Sequence, residues 1–228
     1  PGLNHQAGWT TTWLPFDLPG DCGWTAAGAG TGALAAGALN LSTVANQLKY
    51  TRNPTGTIAE GISLEAEVTI NSGGSITTNT TAILVRIADG VDDYDISFRI
   101  GSTNCRIIDR NNASATVGSD VAIDTSLGLR IKIDLAEVDG VGTVRSWVRA
   151  AGPEEMEWTV GPTGTVLTDV ATPNANHEIV FGHVGAVTTA DSDWTEVHFT
   201  SDEYAAGTLA GGFTNPDDLD GTPYATTP

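Results

Sequence analysis

Basic residues are scarce in this chain of 228 residues. Ten Lys and Arg stand against 28 Asp and Glu, which gives a formal net charge of −18 at pH 7. Lysine occurs only at Lys49 and Lys132. Such a surface repels phosphate backbones, so we expect no nucleic-acid partner. Anionic membranes and acidic polysaccharides are disfavoured for the same reason unless a metal ion bridges the charges.

Long apolar runs and cysteines are also scarce. Hydrophobic residues make up 40% of the chain but come in short runs. None approaches the roughly 20 residues that a membrane span needs, so we expect no membrane insertion. The chain opens at Pro1 without a signal peptide, and we expect either a processed product or an excerpt of a longer protein. Cys22 and Cys105, the only cysteines, either form one disulfide or lie as two buried small apolar side chains.

No segment shows the apolar stripe of an amphipathic helix. The stretch from Ala26 to Leu39 is rich in Ala, but each of its glycines would cost a helix roughly 1 kcal/mol. We therefore expect a loop there, leading into a strand at residues 38–44.

Alternation of apolar and polar residues dominates the chain instead, as in strands with one face on a core. Turn-forming pairs such as Gly73-Gly74 and Asp139-Gly140 separate these runs. The sequence predicts an all-β fold: a two-sheet antiparallel jelly-roll sandwich with many strands and almost no helix. The expected core consists of the inward-facing apolar residues Ile62, Leu64, Val68, Ile83, Val85, Ile96, Phe98, Ile131, Ile133, Phe181, Val197 and Phe199.

Composition divides the chain into three parts. We predict an irregular, tryptophan-containing segment at 1–29 that lays aromatic side chains on the sandwich. The jelly roll itself is predicted at 30–204, where the alternation lies. Residues 205–228, rich in Gly, Thr and Pro, are predicted to be a linker or tail.

The strand order resembles a known fold family. The stretches GISLEAEVTI (61–70), 82–100 with its Asp-Gly turn, LGLRIKIDL (127–135), VRSWVRA (144–150) and SDWTEVHFT (192–200) resemble the concanavalin A-like, laminin-G-like jelly roll. Such modules occur in lectins, in polysaccharide hydrolases and lyases, and in tail and fibre proteins of tailed bacteriophages. The abundance of Ala, Gly, Thr, Val and Asp, with Arg rather than Lys as the main basic residue, is most similar to the phage modules of GC-rich hosts.

A tryptophan between two arginines is the candidate ligand site. Arg145, Trp147 and Arg149 share the outward face of a predicted strand, opposite Val144 and Val148. An indole beside guanidinium groups can stack on a sugar or on a partner protein. The alternative is that this face packs beneath a loop or against another subunit.

Carboxylates concentrate in one predicted turn. Asp89, Asp92, Asp93 and Asp95 could bind Ca²⁺, which prefers oxygen ligands, and this is the only cofactor we expect. A solvated hairpin turn is the alternative. His177, His183 and His198 lack metal-binding spacing and are either ligands on neighbouring strands or ordinary histidines.

Glu65 and Glu67 are paired carboxylates on one face of a strand, as glycoside hydrolysis requires. Glucanases of the resembled fold alternate acidic residues along one strand, but here the run stops at Thr69. We expect this face to be open to water, which would leave no protonated general acid. The sequence therefore predicts no catalytic residues and no enzymatic activity.

The leading interpretation is a non-catalytic adhesive or structural module of a virion, such as a phage tail or fibre, or of a cell-surface assembly. It would bind glycan or other virion or surface proteins, lie on the virion or outside the cell, and form a homo-oligomer such as a trimer. Two alternatives are a glycoside hydrolase or lyase on the same fold, and a carbohydrate-binding module of a secreted bacterial enzyme.

Overall fold

The computed structural model describes residues 9–43, 46–53, 61–77, 82–88, 95–138, 141–151, 157–166, 178–185 and 189–201. Sixteen strands form there: β1 (Trp9–Trp13), β2 (Thr25–Gly28), β3 (Thr31–Ala35), β4 (Ala38–Thr43), β5 (Leu48–Arg52), β6 (Gly61–Ser72), β7 (Ala82–Ala88), β8 (Asp95–Ile100), β9 (Asn104–Asp109), β10 (Ala115–Ala122), β11 (Leu129–Val138), β12 (Val141–Ala150), β13 (Thr159–Val160), β14 (Gly164–Thr165), β15 (Glu178–Val184) and β16 (Ala190–Ser201). A single 3₁₀ turn, Pro19–Cys22, accompanies them in these ranges. The described segments contain no helix able to cross a bilayer.

The strands pair into two antiparallel sheets. The nine-stranded sheet has the order β13–β12–β11–β6–β16–β4–β3, with β14 beside β12 and β1 beside β16. The seven-stranded sheet has the order β10–β9–β8–β7–β15–β5–β2. This is the predicted jelly-roll sandwich, and the fold class is confirmed.

The core lies between the two sheets, and a cluster of aromatic rings forms part of it. Phe181 on β15 contacts Trp13, Trp24, Tyr50 and Trp194, with ring centroids 5.0–5.6 Å apart. The predicted core residues are buried, each at most 1% exposed. The exception is Ile62, whose side chain is not among those that the structure describes.

The N-terminal region departs from its prediction. Trp9–Trp13 and Thr25–Gly28 are strands rather than irregular segments, because β1 pairs with β16 and β2 with β5. Aromatic side chains from this region do pack on the sandwich, as Trp13 and Trp24 contact Phe181. The strand predicted at 38–44 is confirmed as β4, but the loop predicted before it is wrong, since β2 and β3 form there and β3 pairs with β4 in a hairpin. Glycine permits this tight packing: a Cβ on Gly32 would lie 2.8 Å from the Tyr50 hydroxyl. The tail at 205–228 lies outside the described residues.

Candidate functional site

Polar side chains cover the outward side of four neighbouring strands of the nine-stranded sheet, and we call this surface the charged face. Strand register aligns them in rows across β16, β6, β11 and β12. The rows are Glu196–Glu67–Arg130–Arg149, His198–Glu65–Lys132–Trp147 and, across β6 to β12, Ser63–Asp134–Arg145. Alternation in each strand produces this face, because the residues between these positions point into the core.

Arg130 links two strands of the charged face. Its Nε donates to Glu65 Oε1 at 2.5 Å, and its Nη2 donates to Glu196 Oε2 at 3.2 Å. Glu67 Oε1 accepts from the Thr195 hydroxyl at 2.9 Å. His198 pairs with Glu196. The three carboxylates are therefore held in fixed positions by neighbours.

The charged face is less open than the sequence suggests. The side chains of Glu65 and Glu196 are only 17% and 22% exposed, so the expectation of a water-open face is wrong. Burial raises the pKa of Glu196, although Arg130 opposes that shift. Burial also lowers the pKa of His198, which favours its neutral form.

Asp134 is the most buried acid of this face, at 3% exposed. Its carboxylate accepts a hydrogen bond from the Ser63 hydroxyl. Burial raises its pKa, whereas Lys132, the hydrogen bond from Ser63 and Arg145 oppose that shift. This group is a buried carboxyl held by neighbours on β6, β11 and β12.

Trp147 points outward as the alternation predicts, but it is only 5% exposed. The short edge strand β13 lies beside it, with Val160 opposite Trp147. Ligand binding by Arg145, Trp147 and Arg149 stays a prediction, although the Trp147 indole offers no open stacking surface. The half-buried Trp158 lies nearer the surface, with Arg149 Cζ 4.4 Å from its ring centroid. Sequence reasoning passed over Trp158 because no strand pattern surrounds it.

Of the four aspartates predicted to bind calcium, the structure describes only Asp95. Asp89, Asp92 and Asp93 lie outside the described residues. Asp95 accepts hydrogen bonds from Nε and Nη2 of Arg86 at 2.6 and 2.8 Å and lies 3.3 Å from Arg110. Those arginines compete with any cation for its oxygens. The described ranges contain no group of three His, Cys, Asp or Glu suited to a metal, and Ca²⁺ stays a prediction.

The remaining candidates lie apart from each other. His183 is completely buried between the sheets, whereas His198 lies on the charged face, so they share no site. His177 lies outside the described residues. Both cysteines are free: Cys22 is half-buried, and burial raises the pKa of Cys105 to about 12. The structure therefore favours the alternative of two unbonded cysteines.

Comparison with known proteins finds similarity in structure alone. No protein-family model matches the chain, and no curated protein matches its sequence. Cellulose induced protein Cip1 aligns with a TM-score of 0.55 and 10% identity over 80% of this chain and 93% of its own. A Bacillus subtilis protein of unknown function with a galectin-like fold gives 0.52 and 10% identity over 86% and 96%. An endo-1,3-β-glucanase from Streptomyces sioyaensis gives 0.50 and 10% identity over 75% and 79%.

At these identities the likeness shows the fold alone. It agrees with the concanavalin A-like jelly roll that the strand order resembles. The fold carries binding modules and enzymes alike, so function has to be argued from the charged face itself.

Proposed function

We propose that this chain is a non-catalytic glycan-binding module and that the charged face is its binding surface. The observation that carries this proposal is the fixed array around Arg130, whose guanidinium holds Glu65 and Glu196 at 2.5 and 3.2 Å. Polar groups already held in place lose little conformational freedom when they meet sugar hydroxyls. The Arg149–Trp158 pair beside the array supplies an aromatic edge for a sugar ring.

Binding without catalysis fits the way the carboxylates are used. A glycosidase needs one protonated carboxyl and one that is free to attack or to activate water. Here Glu65 and Glu196 share one cation, and Glu67 accepts from Thr195. Carboxylates engaged in this way are not free to attack a sugar carbon or to activate water.

A hydrolase is the second candidate, and one observation favours it. Glu67 and Glu196 lie directly opposite each other on β6 and β16. Side chains at such positions begin about 5 Å apart, close to the carboxyl separation of retaining glycosidases. Burial also raises the pKa of Glu196, as a general acid requires.

The assembly context is proposed from the resemblance to phage tail and fibre modules. We place the domain on a virion or cell surface, outside the cell, in repeated copies such as a trimer. The net charge of −18 supports solubility of such an exposed module. A carbohydrate-binding module of a secreted enzyme would differ in its neighbouring domains rather than in this face.

Calorimetry with a panel of neutral and acidic polysaccharides tests the proposal. We expect at least one ligand with weak affinity, and we expect Trp158→Ala to weaken it about tenfold, roughly 1.4 kcal/mol. Phe16→Ala is the matched control, because Phe16 is an aromatic residue that is 82% exposed and lies outside the charged face. Absence of binding to the whole panel would contradict the proposal.

Reducing-end and unsaturated-product assays on the same panel separate binding from catalysis. We expect no turnover by the parent protein. Turnover that Glu67→Gln or Glu196→Gln abolishes would replace the proposal with the hydrolase.

A further inference from the structure

The outward side of the seven-stranded sheet buries residues that a solvent-facing sheet surface would leave exposed. Leu84 on β7, Val180 on β15 and Ile108 on β9 are each at most 1% exposed. Ser97 and Arg99 stand two residues apart on β8 on the same side, and they are 0% and 5% exposed. Ser97 and Arg99 are therefore buried beside apolar side chains rather than open to water.

Arginines gather on this side, and the others have acidic partners. Those ion pairs join Arg86 to Asp95 and Glu178, Arg106 to Asp120 and Arg110 to Asp95. Arg99 has no carboxylate partner among the described residues. Its Nη1 donates to the Thr77 carbonyl, while its Nε and the Ser97 hydroxyl are buried without a hydrogen-bond partner in the part of the chain that the structure describes.

An unpaired guanidinium is costly in such a layer. Burying a charge without a counter-ion is strongly unfavourable, and arginine does not lose its proton to escape that cost. The side chain directly opposite on β9 is Arg106, which is also cationic. Burial, Arg110 and Arg106 all lower the pKa of Arg99, and distant Asp95 compensates only in part. A bound anion would remove the imbalance.

We propose that Arg99 and Ser97 form a binding site for a small oxyanion, a carboxylate or a sulfate group. Arg99 Nε–H and the Ser97 hydroxyl are the donors left free, and charge-assisted hydrogen bonds from guanidinium to oxyanions are strong. The 5% exposure of Arg99 suits a terminal group rather than the length of a polymer. The anion is either a free ion or the acidic substituent of a glycan.

This site revises the expectation that acidic polysaccharides are poor partners. The net charge of the chain describes the whole surface, whereas Arg99 is a single buried cation without a carboxylate partner among the described residues. The site lies on the opposite sheet from the charged face. Evidence for or against it therefore does not decide the proposed function.

Denaturant titrations of the purified chain in sodium sulfate and in sodium chloride of equal ionic strength test the site. Sulfate should stabilise the parent beyond the chloride effect, because a ligand that binds the folded state raises its stability. Arg99→Met should keep only the general stabilisation that sulfate gives to any folded protein, and Ser97→Ala should weaken sulfate binding severalfold. Lys49→Met is the matched control, since Lys49 is a cation of the same sheet that lies on β5, separated from β8 by β7 and β15, and it should behave as the parent does. Equal sulfate responses in all four proteins would overturn the proposal.

Nuclear magnetic resonance of the parent protein tests the site without relying on a variant that could fail to fold. Titration with sulfate, glucuronate or glucuronate-containing oligosaccharides should shift the Arg99 Nε–H resonance, identified by its loss in Arg99→Lys. Tighter binding of the oligosaccharides than of free glucuronate would identify a glycan substituent, and a response to the small ions alone would identify a free ion. An Arg99 resonance that none of these anions shifts would contradict the site.

Discussion

His183 shows how one buried titratable group can connect two sheets. On β15, its Nδ1 lies 3.1 Å from the hydroxyl of Thr43 and its Nε2 lies 2.7 Å from the hydroxyl of Ser192, both on the nine-stranded sheet. Trp194 Nε1 also donates to Ser192 Oγ at 2.8 Å. The imidazole is therefore satisfied in its neutral form, and the Asp191 carboxylate offsets the effect of burial on it only in part.

Acid should destabilise the protein through His183. Burial lowers its pKa in the folded state from 6.5 to about 4, so the unfolded chain binds more protons between these values. Stability from this group is present above pH 6.5 and is lost as pH falls toward 4, by up to about 1.4 kcal/mol per pH unit. Urea titrations at pH 7 and pH 5 measure the free energy of unfolding of both proteins. Between these pH values, it should fall less in His183→Gln than in the parent. If the free energies of unfolding of the parent and of His183→Gln differ by the same amount at both pH values, the prediction is contradicted.

At the scale of the element, the β3–β4 hairpin turns on a residue poorly suited to its backbone. Ala35 pairs with Ala38, and the two residues between them, Ala36 and Gly37, have φ of 52° and 80°. A two-residue turn with both φ values positive favours Asn-Gly, and an alanine there is strained.

Ala36→Asn should therefore raise the free energy of unfolding by about 0.5–1 kcal/mol. Urea denaturation with an unchanged slope is the measurement. Ala35→Asn, one position earlier in the strand, serves as the control and should be neutral or destabilising, because asparagine is disfavoured in strands. Equal gains in the two variants would mean that the turn is not the cause.

The side chains of each strand explain which strands could be predicted from the sequence. Strands β6 and β11 have one side on the core and one side polar, so their alternation identified them and their buried residues. Strands β2 and β3 consist largely of Ala, Gly and Thr, whose small side chains show no such contrast. Across-strand contacts were equally hidden: Arg130 meets Glu65 and Glu196 only because β11, β6 and β16 are neighbours, and no local pattern specifies that order.

At the scale of the whole molecule, weak binding by one copy should become strong in repeated copies. Linking three copies makes the second and third contacts intramolecular, which raises apparent affinity by about 10²–10⁴. The chain fused to a trimeric coiled coil should therefore dissociate much more slowly from a polysaccharide-coated sensor than the single chain. A trimer carrying Trp158→Ala is the control and should dissociate faster, whereas equal dissociation of trimer and single chain would contradict the proposal.

The position of β16 has a consequence for how the chain is made. Although it comes late in the sequence, β16 lies inside its sheet, with β6 on one side and β4 and β1 on the other. During synthesis on the ribosome, those earlier strands emerge with unpaired edges and cannot complete their sheet before residues 190–201 follow. Non-local pairing of this kind gives a high contact order and slow folding, and nascent chains that wait with open edges are prone to aggregate. Expression yield should accordingly depend on chaperones that shield the growing chain more than on the stability of the finished domain.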